Sequence, residues 1–136
     1  MTLFAELGMR YPIIQAPMAG VQNSTLAMAA TRAGALGSLP AAMLSGAELR
    51  QELSRLAASG PGPYNINFFC HRQHEPEPAA EQRWRQVLLP YYAEFGVDAA
   101  APSRAPSRAP FNDEHAALLA EFRPAVVSFH FGLPEP

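Results

Sequence analysis

His130 stands in the segment VVSFHFGLP (Val126–Pro134), between two phenylalanines. Imidazole changes charge near neutral pH, so a histidine at a strand end can hold an anionic group or move a proton. Side chains alternate along a strand. The segment therefore predicts His130 and Ser128 on one face, with Phe129 and Phe131 on the other. A core histidine with satisfied hydrogen bonds fits the same pattern. Asn67 lies inside the apolar run YNINFFC (Tyr64–Cys70). A buried amide needs partners. Its carbonyl and NH2 suit a heterocycle with both donors and acceptors, such as a flavin or a pyrimidine edge, or else a neighbouring loop backbone. The third candidate is Pro17-Met18-Ala19-Gly20. Ala16, Ala19 and Gly20 would let a flat ligand approach the backbone, and Met18 offers a soft surface to an aromatic ring. A plain strand-to-helix turn built from small residues is equally compatible.

Other chemistry is poorly served. The single cysteine, Cys70, excludes an internal disulfide, and its side chain diverges from that of adjacent His71, so a Cys/His nucleophile pair is not expected. His71, His74 and His115 are expected on the surface. No cluster has the spacing of a zinc site, so no metal is expected. All ten basic residues are arginine, which excludes a lysine Schiff base within these residues. The net charge of −2 gives no reason to expect a nucleic-acid or anionic-membrane partner. The N-terminal MTLFAELGMRYP has no basic n-region, and the apolar runs fall short of the ~20 residues that span a bilayer. A cytoplasmic setting is the expectation.

Strand and helix signals alternate around these candidates. Tyr11 to Ala16 reads as a short buried strand ended by Pro17. Asn23 or Ser24 caps the next helix, which stops at Gly34. Ala35 to Leu39 is a second apolar segment. Ser45 caps a helix whose Leu49, Leu53 and Leu56 form one apolar stripe. Tyr64 to Cys70 is the third strand. Ala79 to Phe95 reads as a helix kinked or broken at Pro90. A tandem APSR unit, residues 101–108, reads as a duplicated loop. Asn112 or Asp113 caps a helix from Glu114 to Phe122, and Ala125 to Phe131 is the fourth strand.

The order β-α-β-α-β-α-α-β, with short apolar strands, predicts an α/β fold with a parallel sheet and right-handed crossovers. An open doubly wound sheet and part of a (β/α)8 barrel both fit, although no G-x-G-x-x-G follows the first strand. In either case the three candidates lie at the C-terminal ends of strands, where such folds gather their chemistry.

The segments PIIQAPMAG, NINFF and VVSFHFGLP, in this order, resemble the nitronate monooxygenases, formerly called 2-nitropropane dioxygenases. The first is shared with related flavin barrels; its combination with SFHFGLP is more specific. The resemblance implies a TIM barrel holding FMN, and an oxidoreductase that turns alkyl nitronates and O2 into a carbonyl compound and nitrite. It implies that Pro17, Met18, Ala19 and Gly20 lie against the isoalloxazine, that Asn67 contacts the flavin, and that His130 faces the substrate. The Gly-rich phosphate-binding segments and the second histidine motif of the family have no counterpart in these residues. A (β/α)8 barrel usually needs about 250 residues. Residues 1–136 are thus expected to be the N-terminal portion of a flavin-binding TIM barrel, about its first four β/α units, with the C-terminal half absent. Two alternatives stand beside this expectation. One is a related flavin barrel, an NADH:quinone or enoyl reductase. The other is a non-catalytic half-barrel that needs a partner, either a second half-barrel or a further copy in a homo-oligomer.

Overall fold

The computed structural model describes residues 2–72, 77–101 and 108–135. Eight elements follow in order: α1 (Leu3–Glu6), α2 (Ser24–Arg32), β1 (Gly37–Pro40), α3 (Gly46–Ala58), β2 (Tyr64–Phe69), α4 (Pro78–Glu94), α5 (Asp113–Phe122) and β3 (Val126–His130). They divide into two compact units, Met1–Arg72 with Ser107–Pro136, and Gln73–Pro106.

In the first unit the strands form a parallel sheet in the order β1-β2-β3, with Ser38 opposite Asn65 and Asn67 opposite Ser128. A single parallel bridge, Ile14 to Leu36, marks where the first strand was expected. Strands adjacent in sequence are thus adjacent in the sheet, with no reversal of order. That is the arrangement of a barrel, whereas a doubly wound sheet reverses at a switch point. The fold is a partial TIM barrel.

The first strand stops after one bridge for a chemical reason. Leu36 donates to Ile13 O, and Gln15 N–H donates to Leu36 O, both at 2.9 Å. The next donor in that ladder would be Pro17, which has no N–H. Side chains replace the ladder instead. Gln15 Oε1 accepts the Ser38 N–H at 2.9 Å, and Gln22 Nε2 donates to Ser38 O at 2.8 Å.

Alternation along β1, β2 and β3 sorts the two faces of the sheet. Leu39, Ile66 and Phe68 pack with Ala27 of α2, Leu49, Leu53 and Leu56 of α3, and Leu118 of α5. Ser38, Asn65, Asn67, Ser128 and His130 alternate with them and face the other way. The expectation of wholly apolar strands therefore fails for one face.

Helix ends follow their local signals. Asn23 caps α2, Ser45 and Glu48 form a reciprocal capping box on α3, and Asn112 caps α5. Gly34, at φ +94°, follows α2. The short α1 had no sequence signal. Burial corrects one expectation: His115 is only 3% exposed, because the α5 face that carries Leu118 also carries it onto Phe68.

The second unit carries α4. Its Pro78 occupies the first turn, where a missing N–H costs nothing, and the helix runs through Pro90 to Glu94 without a break. Pro90 forgoes one intrahelical bond, that of its own missing N–H. The tandem APSR unit and His74 lie largely or wholly outside the described residues.

Candidate active site

The C-terminal ends of the strands converge on a cavity of about 190 Å³. It is lined by Pro17, Ala19, Pro40, Ala42, Asn67, Phe69, His130 and Phe131. Four residues singled out from sequence, Pro17, Ala19, Asn67 and His130, thus share one wall. Met18 and Gly20 do not line it. Met18 is 44% exposed, and Gly20 turns the chain at φ +84° beside Met43. Of the residues not singled out, Phe69 follows from alternation with Asn67. Phe131 does not, because β3 ends at His130 and Phe131 adopts a left-handed φ of 68°. That turn brings Phe131 to the cavity instead of the opposite face, and its ring meets Phe69 edge-on at 5.0 Å.

Beneath the cavity lies a polar network. Asn65 Nδ2 donates to Ser38 Oγ at 3.1 Å and to Ser128 Oγ at 2.9 Å. Asn67 Nδ2 donates to Ser128 Oγ at 2.9 Å and to Ser128 O at 3.2 Å. His130 Nδ1 lies 3.1 Å from Asn67 Nδ2 and 3.2 Å from Asn67 Oδ1. Asn65 and Asn67 are 4% and 3% exposed, while His130 is open to solvent. The backbone partner of Asn67 is therefore a neighbouring strand, and its side chain still reaches the cavity. Among the described residues, the buried Asn65 Oδ1 has no hydrogen-bond partner. Asn65, like Phe69, was not singled out. Its signal was the same two-residue spacing in NIN.

Cys70 lies just beyond β2 and donates its N–H to His130 O at 2.8 Å. Burial pushes its thiol pKa up, which disfavours the thiolate. Among the described residues, no three His, Cys, Asp or Glu side chains come together as metal ligands, and no helix is long and apolar enough to cross a membrane.

A family model described as nitronate monooxygenase matches residues 2–136. The chain belongs to the nitronate monooxygenase family. A nitronate monooxygenase of Paraburkholderia phytofirmans is 41% identical over 135 residues, covering 97% of this chain and 36% of the relative. One from Pseudomonas aeruginosa is 41% identical over 131 residues, covering 94% of this chain and 37% of the relative. The chain thus spans little more than a third of the length of these nitronate monooxygenases. Among solved structures, nitroalkane oxidase from Streptomyces ansochromogenes superposes with a TM-score of 0.77 at 32% identity, covering 98% of this chain and 37% of that one. FabK from Thermotoga maritima, at 21% identity and a TM-score of 0.57, shares the fold.

Proposed function

We propose that this chain is the N-terminal portion of an FMN-dependent nitronate monooxygenase barrel, oxidising alkyl nitronates with O2 to a carbonyl compound and nitrite in a cytoplasmic setting. The observation that carries the reading is the shared wall formed by Pro17, Ala19, Asn67 and His130. Family membership supports it independently.

The cavity suits part of a flavin. Its volume of about 190 Å³ lies below the ~300–1,000 Å³ of ordinary ligand pockets. It would therefore take one edge of a tricyclic ring, leaving the phosphate to other parts of the barrel. The orphan Asn65 Oδ1 adds an unused acceptor beneath that wall. FMN, when bound, supplies the redox centre that exchanges electrons with nitronate and O2. Pro17 and Ala19 supply the backbone against which that edge lies, with Asn67 at its polar edge and Met18 and Gly20 flanking it outside the cavity. His130 faces the nitronate, where its free ring nitrogen holds the anionic oxygen once the ring is protonated and that nitrogen becomes a donor. Phe69 and Phe131 keep water from that side.

The three described strands and the Ile14–Leu36 bridge beside them fill about four of eight barrel positions, and the outer edge of β3 has no partner strand among the described residues. Unpaired edge groups call for a neighbour. This favours a second component of the reading: the remaining strands come from further polypeptide, a second half-barrel or another copy.

The test is an FMN titration of the chain, alone and together with the C-terminal segment of the Paraburkholderia relative, followed by nitronate-dependent O2 uptake. Flavin binding and nitrite release in the combined sample support the proposal. NADH oxidation with a quinone but no nitronate turnover would favour a related flavin reductase. No flavin binding in either sample would overturn the reading.

A further inference from the structure

Donor counting in the network fixes which nitrogen of His130 carries the proton. Asn67 Nδ2 has two hydrogens and three neighbours that could accept them: Ser128 Oγ, Ser128 O and His130 Nδ1. Ser128 O is a carbonyl and can only accept, so it orients the amide with its nitrogen towards β3. Ser128 Oγ, at 2.9 Å, is the nearest of the three and takes the second hydrogen. Asn67 Oδ1 has one neighbour, His130 Nδ1 at 3.2 Å. If Nδ1 were the bare nitrogen, three acceptors would crowd two hydrogens, and the oxygen of a residue 3% exposed would have no partner. With the proton on Nδ1, each hydrogen of Asn67 Nδ2 has its own acceptor and Asn67 Oδ1 has a donor.

We propose that Asn67 and Ser128 together hold His130 as its Nδ1–H tautomer, leaving the Nε2 lone pair as the acceptor at the cavity. Asn67 and Ser128 are positioning residues that act through His130. Ser128 does so by occupying the Asn67 hydrogens that would otherwise turn to Nδ1. One lone pair of Asn67 Oδ1 remains for a ligand. Among the described residues no hydrogen bond engages Nε2. The assignment concerns the ring read above as substrate-facing, but it is measured without flavin or nitronate. Its failure and the failure of that reading are therefore separate results.

Nitrogen-15 NMR of the full chain under alkaline conditions, where imidazole is neutral, reads the tautomer directly. The His130 signals are identified by their loss in His130→Gln. The wild type is expected to show a protonated Nδ1 and a bare Nε2. Ser128→Ala frees one Asn67 hydrogen and is expected to shift the population towards Nε2–H. Ser128→Thr keeps the hydroxyl and is expected to restore the wild-type pattern. A merely structural role for Ser128 would alter stability but leave the tautomer unchanged. Protonated Nε2 in the wild type overturns the proposal. So does a folded Ser128→Ala chain with the wild-type pattern. If Ser128→Ala does not fold, the wild-type and Ser128→Thr spectra still decide.

Discussion

The carboxylate of Glu52, on α3, accepts the backbone N–H of Ser24 at the start of α2 across 2.8 Å. Glu52 is 8% exposed, and its other oxygen takes Arg55 at 2.6 Å. One side chain thus satisfies an orphan N–H of α2 and anchors the helix that follows the Pro17–Gly20 loop. Glu52→Ala is expected to lower the unfolding free energy by about 1.5–3 kcal/mol, the range for a hydrogen bond to a charged group. Glu52→Gln should cost less, because its amide oxygen can still accept. Urea denaturation checks both. Equal losses for the two variants would show that the bond itself contributes little.

Gly37 lies where β1 meets α2. A Cβ at this position would collide with the carbonyl of Ala27 and crowd Thr31 Oγ1. Because the nearest obstacle is backbone, it cannot swing aside. Gly37→Ala is expected to destabilise by at least about 1–3 kcal/mol, as overpacking does. A thermal melt unchanged from wild type would show that α2 can move away from the sheet.

His115 makes stability depend on pH. Burial lowers its pKa, with Glu114 opposing in part. The folded chain therefore refuses a proton that the unfolded chain accepts. Stability from this group is complete above the ordinary histidine pKa of about 6.5 and falls as pH drops below it. His115→Phe, whose ring can stay against Phe68 and Phe111, should flatten this dependence. The check is a comparison of urea midpoints at about pH 7 and about pH 5. Parallel losses in both chains would assign the acid sensitivity elsewhere.

Ala19 is one of two alanines on the cavity wall. Ala19→Phe would fill space that the proposed flavin edge needs. At least a tenfold loss of FMN affinity is expected, about 1.4 kcal/mol, with far-UV circular dichroism unchanged. Undiminished binding would place the flavin away from this wall.

Much of this protein was legible in local signals. Caps at Asn23, Ser45 and Asn112, the leucine stripe of α3 and the strands around Asn67 and His130 rest on neighbours close in sequence. So did the placement of Pro17, Ala19, Asn67 and His130 at strand ends. The length of the first strand was not legible. Its register with Leu36 had to be fixed before the missing N–H of Pro17 could matter.

Only tertiary structure decided the rest. His115 lies in the first turn of α5, three residues after its cap, a position that usually faces water, yet the docking of α5 against Phe68 buries it. Phe131 should have alternated away from His130, but a left-handed turn reverses it. The Asn67–Ser128–His130 network joins residues more than sixty positions apart, and no local pattern specifies which face of one strand meets which residue of another. Sequence determined the elements and their chemistry, because propensity, capping and alternation are short-range. Strand pairing and helix docking determined the contacts, because those depend on register and approach in three dimensions.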